Sequence, residues 1–378
     1  MFIVESYYLA VILCFFTMIC WGSWANTQKL SPKTWSFTLF YWDYSIGVLL
    51  FSLLIGLTFG SFGENGRPLI NDLLQANKAS YISAFLGGII FNLANLLIVA
   101  AISIAGMAVA FPVGIGIALI LGVLVNYVAT PVGNPVLLFL GVFLIGLAII
   151  IDALAYKLQS GEKNKSSTKG IMISVIGGIL MGLFYRFVAS SMSSNFTIPK
   201  DGLFTPYSAL LIFSFGIFIS NFLWNTYFMY KPLDGIKVKF EDYFKNSNFK
   251  IHLIGVFGGV IWCAGMTLSL LSSEMAGYPI SYGLGQGATM IAAAWGVFVW
   301  NEFENASKKI TRKSAHWNNN FFTFKVGDNK IDYRDCGANG AAMRILPIAL
   351  KYHDHKEELN DHIFCNSIVT HGHPRAIL

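Results

Sequence analysis

Residues Ala276–Gly287 read AGYPISYGLGQG. A similar stretch lies 171 residues upstream, where Ala105–Gly116 read AGMAVAFPVGIG, and we call this similarity the echo. The preceding apolar stretches repeat at the same spacing, since the glycine pair at 87–88 recurs at 258–259. Corresponding apolar segments that glycine interrupts in both halves of a chain indicate helices that open in mid-membrane, around a binding site. The identical positions are Ala105 with Ala276, Gly106 with Gly277, Gly114 with Gly285, and Gly116 with Gly287.

The composition indicates a polytopic membrane protein whose main partner is the lipid bilayer. Of the 378 residues, 55% are hydrophobic and 12% are charged, with a mean hydropathy of +0.58. A soluble domain has about 25% charged residues. The basic residues form no aromatic-interleaved patch, so we expect no nucleic-acid partner. The five cysteines follow no disulfide or zinc spacing, and we expect neither a metal site nor a cofactor.

Nine membrane spans are predicted, each near the ~20 residues that a helix needs to cross the hydrocarbon core. Lys and Arg are concentrated in alternate loops, with fifteen in 29–33, 157–169, 231–250 and 308–313 against Arg67, Lys78 and Lys200 in the others. The positive-inside rule then predicts an external N-terminus and a cytoplasmic tail. The expected location is the bacterial inner (plasma) membrane. The predicted spans are 7–25, 35–58, 81–103, 105–127, 136–156, 170–190, 206–230, 250–272 and 278–300.

The spacing of the echo makes the repeating unit five helices long. Because five is odd, the two copies cross the membrane in opposite senses, and a solute site is expected near the midplane between them. The predicted span 136–156 should recur near 307–327. That window reads SKKITRKSAHWNNNFFTFKVG, and its charges exclude it from a bilayer. The tenth span is therefore predicted to be missing.

Neutral polar and aromatic side chains are frequent in or near the predicted spans. Amides and indoles suit a small polar solute that is planar or hydroxylated, although each could instead join two helices by a hydrogen bond. Tyr282 and Gln286 are the best candidates, because the glycines around them allow the backbone to open. The candidate solute-binding residues are Trp21, Trp24, Asn92, Asn95, Trp224, Asn225, Trp262, Tyr282 and Gln286.

Two charged residues inside predicted spans, Asp43 and Arg186, are candidate coupling residues. A carboxylate within the membrane is a candidate for proton coupling or substrate binding. Asp43 is equally compatible with a wetted position near the cytoplasmic interface. Arg186 either holds a carbonyl or anionic group of the solute or extends its charge outward to the interface. No residue is a candidate for catalysis.

Several motifs in the membrane part share a pattern with one family. They are CWGSWAN at 20–26, FYWDY at 40–44, AFPVGIG at 110–116, YGLGQG at 282–287 and WGVFVWNEF at 295–303. With these motifs, residues 1–303 resemble the ureide permease family, within the drug/metabolite transporter superfamily and near its glucose/rhamnose uptake members. The resemblance implies ten helices and proton-coupled uptake of a ureide, a nucleobase or a related metabolite, with a sugar permease as the alternative.

The last part of the chain has a different character, with CGANGAAMRILP at 336–347 and THGHPRA at 370–376. These stretches make residues 313–378 resemble an internal piece of the ADP-ribosylglycohydrolase family, which is all-helical and binds two magnesium ions. The family's acidic metal-binding motifs do not occur here, so we predict no hydrolase activity. A membrane-tethered hydrolase fusion is the other alternative. Residues 304–312 form the predicted junction, for which an accidental joining of two genes is favoured over an intended fusion.

The expected fold class combines these points. It is an all-α polytopic membrane protein with an inverted five-helix repeat of the drug/metabolite-transporter type, nine spans and a short truncated α-helical cytoplasmic tail. The sequence leaves the substrate, the coupling ion and the oligomeric state open.

Overall fold

The computed structural model describes residues 1–32, 34–105, 107–160, 168–233, 237–245, 247–300, 323–326 and 329–332. The chain divides into two compact units, Met1–Glu304 and Asn305–Leu378. All the named elements described in the first unit are helices: α1 Tyr7–Ser23, α2 Asn26–Lys29, α3 Phe37–Leu57, α4 Leu69–Gln75, α5 Lys78–Ala105, α6 Met107–Ala129, α7 Pro135–Ser160, α8 Thr168–Ser191, α9 Pro206–Tyr230, α10 Phe240–Lys245, α11 Phe249–Ala276, α12 Tyr278–Gly285, α13 Ala288–Ala294 and the π-helical turn Trp295–Val299.

In the part of the chain that the structure describes, seven helices are long and apolar enough to cross a membrane. These seven coincide with seven of the predicted spans. The predicted span 136–156 lies on α7, where the apolar helix Pro135–Ile151 is shorter. The predicted span 278–300 is divided into α12, α13 and the π-helical turn. The seven spanning helices are Tyr7–Lys29, Phe37–Leu57, Lys78–Ala105, Pro112–Ala129, Thr168–Ser191, Pro206–Tyr230 and Phe249–Ala276.

The two glycine-rich stretches that echo each other adopt different backbones. Upstream, α6 runs without a break from Met107 through Pro112 to Ala129, although proline removes a helical hydrogen bond. In the downstream stretch, Gly277 ends α11 with a φ of 83°, a conformation that favours glycine. The helix stops again at Gln286-Gly287 before α13 begins. The second half therefore has two short helices, α12 and α13, where the first half has the single helix α6.

Two short helices mark opposite ends of the bundle. Helix α4 lies beside the connection between α8 and α9, where Arg67 Nη2 donates to the Pro199 carbonyl at 2.9 Å. Helix α10 lies beside the start of α3, where the rings of Trp35 and Tyr243 are 5.9 Å apart. We name these the Asp72 end and the Asp43 end, after the buried carboxylate that each contains.

Two close helix crossings connect the two halves of the sequence. Gly47 and Gly259 bring α3 against α11, and a methyl group at Gly259 would lie 2.1 Å from a backbone carbonyl of α3. Gly88 and Gly216 bring α5 against α9, and a methyl group at Gly88 would lie 2.1 Å from a backbone carbonyl of α9. Small residues let helix backbones approach this closely in membranes. Each crossing therefore fixes one helix of the first half to one of the second.

The second unit corrects the expected all-helical tail over eight residues. The strands β1 Thr323–Val326 and β2 Asn329–Asp332 pair antiparallel, with Phe324 opposite Ile331. β-Branched and aromatic residues favour extended backbone. The predicted junction 304–312 and the rest of the hydrolase-like segment lie outside the described residues, as does 161–167 of the central loop.

Candidate functional site

Aromatic side chains from α1, α3, α5 and α11 meet in one buried cluster in the membrane part. Trp262 is 4% exposed and stacks on Trp21, with ring centroids 6.1 Å apart and planes 11° apart. Phe91 lies 4.4 Å from Trp262, and Tyr44 lies 6.3 Å from it. Tyr44 in turn contacts Trp24 and Tyr41, at 4.8 and 5.0 Å. We call Trp21, Trp24, Tyr41, Tyr44, Phe91 and Trp262 the tryptophan cluster.

The tryptophan cluster contains polar groups with unused hydrogen-bonding capacity. Asn95 Nδ2 donates to the Tyr41 hydroxyl at 3.1 Å. The Tyr44 hydroxyl and the Trp21 Nε1 are both buried, and neither has a hydrogen-bond partner among the described residues. Leaving such a group unpaired costs about 1–3 kcal/mol. The cluster thus contains two unpaired hydrogen-bond donors beside flat aromatic faces.

Two glycines make room for the Trp21 indole. A methyl group at Gly265 of α11 would lie 2.7 Å from the indole, and one at Gly285 of α12 would lie 2.6 Å from it. Gly285 is the last residue of α12, just before the break. The broken stretch therefore forms one wall of the space that Trp21 fills.

The other candidates in the broken stretch have a packing role or lie at the break itself. The Tyr282 hydroxyl donates to the carbonyls of Ala118 and Met181, at 3.1 and 3.0 Å, and its side chain is fully buried. It packs on Gly122, where a methyl group would lie 2.2 Å from the ring. Tyr282 thereby fastens α12 to α6 and α8. Gln286 is buried at the C-terminal end of α12.

Three candidates lie where α9 packs on its neighbours. Asn92 Nδ2 donates to Ser220 Oγ at 2.8 Å, and Asn225 Nδ2 donates to the Thr38 carbonyl at 2.8 Å. Trp224 Nε1 is buried and has no hydrogen-bond partner in the described part of the chain. The two amides each join two helices by a hydrogen bond, which is the alternative to solute binding for such residues.

Asp43 lies at the crossing of α3 and α11 and is 2% exposed. His252 Nδ1 is 2.9 Å from its Oδ1 and 3.0 Å from its Oδ2. The Tyr243 hydroxyl of α10 also donates to Oδ1. On the far side of the imidazole, Nε2 is 2.8 Å from Ser247 Oγ. The buried carboxylate therefore joins α3, α10 and α11.

The Tyr243 phenol lies outside the membrane-spanning segments. Burial, followed by the hydrogen bond and the charge of Asp43, raises the pKa of Tyr243 above its usual value. The hydroxyl therefore stays protonated and remains a donor to Asp43. Arg186, the second coupling candidate, lies half-buried on α8, where its charge acts on Tyr278. The structure thus joins Asp43 to His252 and not to Arg186.

Sequence reasoning missed Tyr41, Tyr44, Phe91, Tyr243 and His252. A signal existed for His252, because it is the one histidine that precedes Glu304 and it stands at the start of a predicted span. Tyr41 and Tyr44 are three residues apart and therefore share a helix face. Phe91 and Tyr243 carry no comparable signal in a chain with 32 Phe and 16 Tyr.

The model of one protein family, Ureide permease, matches residues 40–169 and 154–315. Ureide permease 1 of Arabidopsis thaliana is 21% identical over 82% of this chain and 93% of its own length. Ureide permease 4 of the same plant is 23% identical over 82% and 93%. Probable ureide permease A3 of Vigna unguiculata is 23% identical over 81% of this chain and 99% of its own length.

A second family model, ADP-ribosylglycohydrolase, matches residues 262–378 and overlaps the first match over 262–315. It begins well before the junction predicted from the sequence. The match to the hydrolase family covers a fragment of this chain, whereas the first match runs through most of the helical unit. The chain belongs to the ureide permease family.

Proposed function

We propose that this chain is a permease that takes up a small planar polar solute, such as a ureide, a nucleobase or a related metabolite. Membership of the ureide permease family supports a membrane transporter and not an enzyme. The observation that carries the choice of solute is the tryptophan cluster, where the Tyr44 hydroxyl and the Trp21 indole nitrogen are buried without a protein partner among the described residues. Flat rings and two donors suit the carbonyls of a planar amide.

Transport would proceed by alternating access of two inverted five-helix halves. The matched glycine crossings support this mechanism, because α3 meets α11 through Gly47 and Gly259 as α9 meets α5 through Gly216 and Gly88. The partners exchange places between the two crossings, as an inverted repeat requires. The tryptophan cluster draws its residues from both halves.

Uptake of radiolabelled allantoin, uracil and glucose by cells that express the chain tests the proposal. We expect allantoin or uracil to enter faster than in cells with the empty vector, and unlabelled solute to compete. Preferential uptake of glucose would favour the sugar-permease alternative. Absence of transport for all three, with the protein present in the membrane, would contradict the proposal.

A tyrosine pair then tests the binding site. Tyr44→Phe removes a hydroxyl without a protein partner, so we expect unchanged or higher thermal stability. If that hydroxyl binds the solute, the KM should rise about tenfold, the equivalent of one hydrogen bond of roughly 1.4 kcal/mol. Tyr185→Phe is the matched control, because its hydroxyl already contacts the hydroxyls of Ser269 and Ser281. An unchanged KM in Tyr44→Phe would remove Tyr44 from the site.

The orientation and the membrane are parts of the same proposal. The Lys and Arg distribution supports a cytoplasmic Asp43 end. The bacterial inner membrane stays part of the proposal. A reporter placed after Lys165 should be inaccessible from outside the cell, and external labelling would reverse the topology. For the tail we propose no hydrolase activity, and turnover of an ADP-ribosylated arginine substrate by the purified chain would refute it.

A further inference from the structure

Asp43 sits at the start of the glycine crossing between α3 and α11. A methyl group at Gly255 of α11 would lie 2.4 Å from Asp43 Cβ. One turn further on, Gly259 packs on the α3 backbone. The carboxylate is therefore wedged between two helices that belong to different halves of the sequence. A change in its charge acts directly on that crossing.

The groups that face this carboxylate form a chain from the membrane part to the loop. The imidazole of His252 bridges Asp43 and Ser247, with contacts of 2.9 and 2.8 Å. Its side chain is 26% exposed, against 2% for Asp43. A proton can therefore reach Nε2 from the loop side and leave Nδ1 toward the buried oxygens. Histidine is the side chain that exchanges protons near neutral pH.

Most charged groups on the neighbouring elements are engaged elsewhere or exposed. On α10, Glu241 and Lys245 pair with each other at 2.9 Å on the surface. Asp242 Oδ2 accepts from the Lys239 backbone nitrogen at 2.8 Å. On α11, Lys250 is exposed. Among the described residues, the ionisable groups in contact with Asp43 are Tyr243 from α10 and His252 from α11.

We propose that Asp43 and His252 together form the proton-binding site of this transporter, and that Tyr243 links its occupancy to the docking of α10. This inference rests on the proposed transport function. With neutral His252, the pair carries the single negative charge of Asp43. One proton on the imidazole makes the pair neutral, and a second on the carboxylate leaves it positive.

The Tyr243 hydrogen bond responds to these states. A hydrogen bond to an ionised acceptor is roughly twice as strong as one between neutral groups. The bond from Tyr243 is therefore strongest while Asp43 is charged and His252 is neutral, and it weakens as protons arrive. Proton binding loosens α10 at the Asp43 end, and proton release re-docks it.

Proteoliposomes that contain the purified full chain test the site with radiolabelled allantoin and uracil. A one-unit pH gradient drives about tenfold accumulation when one proton accompanies each solute. We expect Asp43→Asn and His252→Gln to lose this accumulation and the accompanying proton influx. Both should retain exchange of labelled for unlabelled solute, which needs no net proton movement. Glu241→Gln is the control, because it removes a carboxylate of α10, the helix that contains Tyr243. This variant should accumulate solute like the unmodified chain.

Accumulation with an unchanged pH profile in both variants would overturn the proton site. If the unmodified chain neither accumulates nor exchanges these solutes, the proposed transport function fails instead. In that case, or if a variant loses exchange, the mobility of α10 tests the proton site independently of transport. A nitroxide attached to Phe244→Cys on α10, with the native cysteines replaced, reports its motion. The same label at Leu74→Cys on α4 is the matched control.

We expect the nitroxide at position 244 to become more mobile between about pH 8 and pH 5, across the range in which histidine titrates. In Asp43→Asn it should be mobile throughout this range. The label at position 74 should not respond. Equal mobility of the α10 label at both pH values would refute the link between proton binding and α10.

Discussion

The two ends of the helix bundle each hold a buried carboxylate, but the carboxylates have different partners. At the Asp72 end, Asp72 is fully buried, bonded to Arg67 at 3.0 Å and to the Thr205 backbone nitrogen at 2.7 Å. At the Asp43 end, Asp43 is bonded to His252 and Tyr243. A guanidinium keeps its charge at every accessible pH, whereas an imidazole does not. One end is closed by a permanent ion pair and the other by a titratable pair.

The repeat spacing shows how the difference arises. At an offset of 171 residues, Asp72 of α4 corresponds to Tyr243 of α10, and Tyr81 of α5 corresponds to His252 of α11. The Tyr81 hydroxyl donates to the Leu73 carbonyl at 2.7 Å. The carboxylate lies on the short helix at the Asp72 end and on a spanning helix at the Asp43 end. In the inverted repeat that we propose, corresponding helices thus carry a permanent ion pair at one end and the proposed proton-binding pair at the other.

The largest effect on stability is expected from Arg67→Met. The change leaves Asp72 buried without its cation, which costs about 3–5 kcal/mol in comparable sites. The Pro199 carbonyl also loses its Arg67 donor, whereas the Leu203 carbonyl still accepts from Gln75 Nε2 at 2.9 Å. We expect a large fall in the unfolding temperature in detergent that depends little on pH near neutrality. A fall in the unfolding temperature as small as that caused by replacing a surface residue would show that this ion pair does not stabilise the Asp72 end.

Tyr243→Phe should have the second largest effect. It removes a hydrogen bond to a charged acceptor, worth about 1.5–3 kcal/mol. Because the pKa of Tyr243 is raised in the folded protein, this contribution is complete below the usual tyrosine pKa of about 10 and is lost as pH rises further. The difference in unfolding temperature should therefore persist from neutral pH to about pH 10 and shrink above it. Phe240→Leu on the same helix controls for lost aromatic packing.

His252→Arg should make the Asp43 end resemble the Asp72 end. A permanent cation beside Asp43 should change stability by about 1 kcal/mol, within the range of partly exposed ion pairs. Uptake should lose its pH dependence and slow, because a permanent cation holds the pair in the charge state of protonated His252, and proton binding and release no longer switch it. Normal pH-dependent uptake in this variant would contradict the proposal that the Asp43 end, unlike the Asp72 end, must gain and lose a proton.

The smallest effect is expected from Asp201→Asn. Asp201 also contacts Arg67 at 3.0 Å, but its side chain is 99% exposed. Exposed ion pairs contribute about 0–1 kcal/mol. The unfolding temperature should hardly change, in contrast with Arg67→Met. A large fall in the unfolding temperature would mean that Asp201, like Asp72, stabilises this end through Arg67.

The membrane class and seven spanning helices could be predicted from sequence, because apolar length and hydropathy determine them. The backbone of the two echoed stretches could not be predicted, since both contain glycine and proline. Only packing decides that α6 continues past Pro112 while α12 ends at Gly285.

The candidate site was predictable in its residue types but not in its grouping. Trp21 and Trp262 are far apart in sequence and stack only because α1 and α11 are neighbours. Asp43 was identified by its charge alone, whereas its partner His252 is 209 residues away. Tyr282 was favoured for the flexible backbone around it, yet its hydroxyl holds two backbone carbonyls. Local sequence cannot distinguish a binding tyrosine from a packing one.

The glycine crossings also determine which parts can move as rigid bodies. At Gly259 and Gly88, no side chain separates the two backbones, so α3 cannot slide past α11, nor α5 past α9, without a collision. Each interlocked pair takes one helix from either half of the sequence. In the transport that we propose, the parts that rock against each other therefore combine helices of both inverted halves, and the boundary between them does not coincide with the midpoint of the chain. Labels intended to record the motion belong on α3 and α5, which are close in sequence but lie on opposite sides of that boundary.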